Sequence, residues 1–115
     1  LKPIRDSWES GKPMEWIRVH KLPDYVYFDH SVHVTAGVGC VECHGRIDKM
    51  DQVRMEKPLS MGWCLDCHRD VKEKQGDSEH IRPVAEMTNM NWKHEGHVDT
   101  PRHLEPPENC WGCHR

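Results

Sequence analysis

Three identical frames use every cysteine of this 115-residue chain: Cys40-Val41-Glu42-Cys43-His44, Cys64-Leu65-Asp66-Cys67-His68 and Cys110-Trp111-Gly112-Cys113-His114. Each reads C-x-x-C-H, the spacing at which two thiols add across the two vinyl groups of one porphyrin while the adjacent imidazole takes a position on its iron. Cys40, Cys43, Cys64, Cys67, Cys110 and Cys113 are therefore read as thioether attachments, and His44, His68 and His114 as proximal iron ligands of three c-type haems. Structural zinc draws four ligands per ion, and three pairs that each carry their own His leave a remainder. Short C-x-x-C pairs are poor disulfide staples, and the βαβ pattern of a thioredoxin-type redox motif is missing.

The rest of the composition agrees. Only 36% of residues are hydrophobic, 30% are charged, and mean hydropathy is -0.87, too little oil for a chain of this length to offset its conformational entropy with side chains alone. Five Trp and six Met stand beside a single Phe. Either the chain is partly disordered or planar cofactors supply the missing apolar surface, and the three motifs select the second. A net charge of -3, no basic run and no interleaving of aromatic with basic residues exclude nucleic acid as a partner. No stretch approaches the ~18 to 20 apolar residues that span a bilayer, although the chain opens on Leu1, so a targeting or anchoring segment ahead of it stays open.

Low-spin irons need sixth ligands, and seven further histidines are available: His20, His30, His33, His80, His94, His97 and His103. The most ordered arrangement is Phe28-Asp29-His30-Ser31-Val32-His33, ending seven residues before Cys40. On a helix His30 and His33 share a face about a turn apart, and on a strand they point to opposite sides. In both cases the pair serves two different irons. Trp92-Lys93-His94-Glu95-Gly96-His97 echoes the pattern faintly, in a segment broken by Gly and Pro. Met61, just ahead of Cys64, offers a thioether that raises an iron's potential relative to a second imidazole. The remaining methionines, Met14, Met50, Met55, Met87 and Met90, are read as packing residues, and His80 as a surface residue. Glu42 and Asp66 adjoin proximal ligands and would lower the local potential slightly if not merely solvated.

Regular elements are short. Met14 to Val19 and Tyr25 to Phe28 read as extended, forming at most a short two-stranded element. A short helix is expected through Cys40 to His44, ending near Gly45. A longer helix from Met61 through Lys74 is capped by Ser60 and closed by Gly76, and Asn109 caps a last turn around Cys110 to His114. Lys2 to Pro13 and Thr100 to Pro107 read as loops. The expected fold is a small, mostly irregular and α multihaem cytochrome c, one three-haem domain over residues 1–115, with a core made of covalent haem.

The Phe-x-His-x-x-His segment ahead of the first motif resembles the small multihaem class III cytochromes c. The run Trp16 to His33, followed by Gly37-Val38-Gly39 and the first motif, is similar to the multihaem cytochrome c subunit of alternative complex III and of the related periplasmic quinone reductase complex. That likeness continues through Pro58-Leu59-Ser60-Met61-Gly62-Trp63 and the second motif, and through Cys113-His114-Arg115. It implies a subunit on the periplasmic side of the bacterial inner membrane, wiring electrons between an iron-sulfur or molybdopterin-like subunit and a downstream cytochrome c or oxidase. Membrane association would come through partner subunits or a preceding anchor. Family members usually carry additional haem motifs and an anchor ahead of Lys2, so these residues are either the carboxy-terminal part of a longer subunit or a shorter three-haem relative. Lys93 to His103 departs from the family pattern.

The class III pattern implies that His30 completes the first haem with His44 and His33 the second with His68. The small relatives supply the third haem with a His just ahead of the second motif, where this chain has Met61, so His/Met ligation is expected on His114, with His94, His97 and His20 in reserve. The expected function is electron transfer without substrate chemistry. A free periplasmic shuttle and a multihaem enzyme with one open iron are the competing classes.

Overall fold

In the computed structural model, described for residues 1–74, 78–95 and 103–115, four helices are joined by long irregular stretches. They are α1 (Lys2–Ser10), α2 (His30–Ala36), α3 (Cys40–His44) and α4 (Met61–Lys74), with 3-10 turns at Ile47–Lys49, Val84–Glu86 and Cys110–Gly112. No helix among the described residues is long and apolar enough to cross a membrane.

Local chemistry explains each boundary. Asp29 caps α2, its carboxylate accepting the Ser31 amide at 2.8 Å, and Gly37 ends that helix with φ 89°. The cap settles the ambiguity of Phe28 to His33 in favour of a helix, with His30 in its first position. Ser60 Oγ accepts the Trp63 amide at 3.3 Å and starts α4, which ends at Lys74; Gly76, expected to close it, lies outside the described residues. Asn109 Oδ1 accepts the Gly112 amide at 3.0 Å and caps the turn over the third motif, which spans only Cys110–Gly112.

Two secondary-structure expectations are corrected. Lys2 to Pro13, read as a loop, is helical over Lys2–Ser10. Pro3 lies in the first turn, where a missing amide costs nothing, Lys2 pairs with Asp6 at i,i+4, and Gly11 closes the helix with φ 65°. The anticipated two-stranded element is reduced, among the described residues, to two isolated antiparallel bridges, Val26 with His114 and Val38 with Ile81.

Among the described residues, the buried apolar side chains are Val71, Ile81 and Met87. Of the methionines read as packing residues, Met87 fits that role and Met55, 46% exposed, does not. The radius of gyration is 17.2 Å, against about 13 Å for a conventionally packed chain of this length. Side chains alone hold this fold loosely.

The tightest packing lies beside the first motif. Arg82, with its side chain 3% exposed, donates from Nη2 to Glu42 Oε1 at 2.6 Å and from Nη1 to the Asn89 carbonyl at 3.0 Å, and its guanidinium lies over the Trp92 ring. It presses on the backbone of Gly39, where a Cβ would overlap the guanidinium. His80 is not the surface residue expected: half-buried, it hydrogen-bonds Glu42 Oε2 through Nδ1 at 3.0 Å and faces Asp70 of α4 across 3.8 Å. A charged residue inside a motif needs compensation once buried, and the residues that compensate Glu42, His80 and Arg82, come from a charged stretch about 40 residues further on.

Candidate haem sites

Helix α2 projects His30 and His33 from one face, with Phe28 stacked on His33 at 4.5 Å and edge-on to His30 at 4.8 Å between ring centroids. Their outward neighbours belong to different motifs. His30 faces His44 with ring planes 5° apart and centroids 6.3 Å apart, and His33 faces His68 at the same 6.3 Å with planes 38° apart. A metal–imidazole bond runs about 2.0–2.1 Å; adding roughly an ångström from nitrogen to ring centre on each side, two imidazoles that share one metal ion have centroids a little over 6 Å apart. Both pairs meet that separation, and rotation about the metal–nitrogen axis leaves the interplanar angle free.

The ring nitrogens point the same way. His33 Nδ1 bonds the Asp29 carbonyl at 2.8 Å, His68 Nδ1 the Pro107 carbonyl at 2.6 Å, and His114 Nδ1 the Tyr25 carbonyl at 3.3 Å, while His44 Nδ1 meets Nε2 of His20 at 3.3 Å. A carbonyl only accepts, so Nδ1 carries the proton in the first three and Nε2 keeps its lone pair for a metal. Burial, followed by the proximity of His20 and His30, lowers the His44 pKa and keeps that ring neutral, the form that ligates iron.

The cysteines of different motifs influence one another. All six are free thiols, standing for the sulfurs that become thioethers on attachment. Burial first, then the nearness of Cys67, pushes the Cys43 thiol up to about 11, and burial followed by Cys113 raises Cys64. Thiols of the second motif thus interact with thiols of each of the other two. Helix α4 grips the approach to the third: Arg69 Nε and Lys72 Nζ donate to Glu108 at 3.3 and 3.2 Å, two residues ahead of Cys110. The chain end is fastened by the Tyr27 amide donating to the Cys113 carbonyl at 2.8 Å, with Arg115 over the Tyr27 ring.

Met61 begins α4 one turn ahead of Cys64 on the same face, and it is exposed. Of the reserves for His114, His20 packs edge-on against His44 at 4.5 Å, His94 packs against Trp92 with its Nδ1 buried and unbonded, and His97 lies outside the described residues. Glu42 is no bare charge: burial works to raise its pKa, but hydrogen bonds from His80 and Arg82 and their charges outweigh it, leaving the carboxyl ionised and neutralised. Asp66 is solvated on the outer face of α4.

Sequence reasoning missed Arg82, His80 and the carbonyls of Tyr25 and Pro107. Gly37-Val38-Gly39 was a usable signal, since closely spaced glycines mark a close backbone approach; here Arg82 makes it. The carbonyls left no signal, because any residue carries one.

Paired imidazoles beside C-x-x-C cysteines fit a protein that binds c-type haem at more than one motif. The family model for cytochrome c7 and related cytochrome c matches residues 26–115, and the chain belongs to that family. It binds haem c and transfers electrons through multiple haems rather than catalysing a substrate reaction. No curated protein matches the chain.

Proposed function

We propose that the chain carries three c-type haems and relays single electrons along them as the periplasmic cytochrome portion of a membrane complex that oxidises quinol or reduces quinone. The pair of His–His separations at 6.3 Å carries the reading. Haem supplies reversible one-electron chemistry, and the protein sets its potential through axial ligands, hydrogen bonding and burial. His44 and His30 hold the first iron, and His68 and His33 the second. His114 and Met61 hold the third, supported by the helical turn that carries Met61 beside Cys64 and by the closeness of Cys64 to Cys113. With all six axial positions filled, no iron is left open to a substrate. The quantity that tests this is the haem content per chain, measured with the spin-state spectrum. Three low-spin haems are expected; fewer haems, or one high-spin haem that binds nitrite or peroxide, would overturn it.

A docked subunit is supported over a free shuttle by apolar side chains available to a partner: Trp8, Trp16, Ile17 and Trp111 are each at least 81% exposed. Attachment of haem to C-x-x-C-H outside the cytoplasm supports the periplasmic side. Its partners would be iron-sulfur or molybdopterin-like and membrane subunits, with a downstream cytochrome c or oxidase as acceptor. Fractionation of washed native membranes separates the readings: co-purification with large subunits is expected, and recovery wholly in the soluble periplasm supports the shuttle.

A further inference from the structure

His33, His68 and His114 turn Nδ1 to main-chain carbonyls, those of Asp29, Pro107 and Tyr25; His44 instead turns Nδ1 to a side chain, that of His20. His20 sits in the segment before α2, 24 residues from His44, and its partly buried ring packs edge-on against the His44 ring at 4.5 Å, 83° from parallel. It lies outside the stretch that the family model matches, which starts at residue 26. The same segment turns at Pro23, where the Val26 amide donates to the Pro23 carbonyl, and continues to Tyr25, whose carbonyl receives His114 Nδ1. One strap thus meets the Nδ1 edges of two motif histidines, by a side chain at one end and by the main chain at the other.

We propose that His20 is a positioning residue for the His44-bound haem: neutral, protonated on Nδ1, it accepts the His44 Nδ1–H on Nε2 and sets the orientation and donor strength of that ligand. The assignment rests on His44 holding an iron through Nε2, as argued above. The proton of a singly protonated His44 is then on Nδ1, so His20 Nε2 must be the acceptor and is not available to an iron. An imidazole nitrogen is a more basic acceptor than an amide carbonyl. It draws His44 further toward imidazolate and stabilises the oxidised iron, so the His44-bound haem has a lower potential than the same ligand pair would have with a carbonyl on Nδ1.

The test uses the fully haem-loaded protein in redox titrations followed by NMR of the haem methyl resonances, which report each haem separately. In His20→Phe, which fills the space without an acceptor, the oxidised-to-reduced equilibrium of the His44-bound haem should shift at least threefold toward the reduced form, a rise of about 28 mV for a one-electron couple. His20→Gln, which presents an amide oxygen, should recover part of the shift, and the other haems should move less. In 15N-labelled wild-type protein, His20 should show an unprotonated Nε2, a readout that needs no variant to fold. Unchanged potentials in His20→Phe, equal shifts in both variants, or a proton on His20 Nε2 would overturn the proposal. Loss of a low-spin signal in His20→Phe would also overturn it by making His20 an iron ligand. Failure of the underlying reading is distinguishable, since it would leave wild-type protein without haem on the first motif.

Discussion

His30 and His33 sit one helical turn apart on α2 yet approach the histidines of two different motifs, His44 and His68, at the same ring separation of 6.3 Å. One short helix therefore ties two motifs, and Asp29, which caps it and whose carbonyl anchors His33 Nδ1, sets the orientation of the helix and of that imidazole together.

Replacing one of these histidines should open one iron and spare the other. His30→Ala and His33→Ala are each expected to convert a single low-spin haem to high spin with haem content unchanged, by electron paramagnetic resonance. Conversion of two haems by one substitution, or of none, would count against the pairing.

Met61→Ala should abolish the near-infrared methionine-to-iron charge-transfer band. Met61→His should restore a low-spin iron at lower potential, because an imidazole stabilises the oxidised form better than a thioether does. A wild-type spectrum without that band transfers the third haem to another ligand.

Glu42→Ala leaves the Arg82 guanidinium buried without its anion. Breaking a buried pair costs about 3–5 kcal/mol, and because Glu42 keeps 22% of its side-chain exposure, the low end, about 3 kcal/mol, is expected. Guanidinium denaturation of the haem-loaded protein should show it. The double variant Glu42→Leu with Arg82→Leu should recover part of the loss, whereas strict additivity would mean that the two side chains are not coupled.

Gly37→Ala should destabilise more than Gly11→Ala by at least ~1 kcal/mol. Both glycines have positive φ, 89° and 65°, but a Cβ at Gly37 would meet the Arg82 carbonyl oxygen at 2.5 Å, while at Gly11 it meets nothing within 4 Å. Equal melting-temperature losses would show that the Arg82 backbone beside Gly37 yields freely.

Haem removal should unfold most of the chain, since Val71, Ile81 and Met87 are its buried apolar side chains among the described residues. Replacing all six cysteines with Ser is expected to abolish cooperative melting by circular dichroism. A native-like, cooperatively melting product would contradict a core made of cofactor.

What the amino-acid order determined by itself was covalent and local. The C-x-x-C-H frames point to haem attachment because two thiols and an adjacent imidazole at that spacing match the two vinyl groups and the iron of one porphyrin. Ser60 and Asn109 announce the starts of their elements because a cap needs only neighbours. The Lys2 to Pro13 stretch concealed a helix because its apolar residues, Ile4 and Trp8, are few and stay exposed; Pro3, Gly11, the Ile4–Trp8 spacing and the Lys2–Asp6 pair were its local clues. The spacing of His30 and His33 already implied two different partners, but tertiary structure alone decided that Glu42 is neutralised by Arg82 and His80 some 40 residues away and that His20 meets His44. Those outcomes depend on which carbonyls and charges arrive from distant segments to satisfy groups that burial has stripped of water, and no spacing rule encodes that.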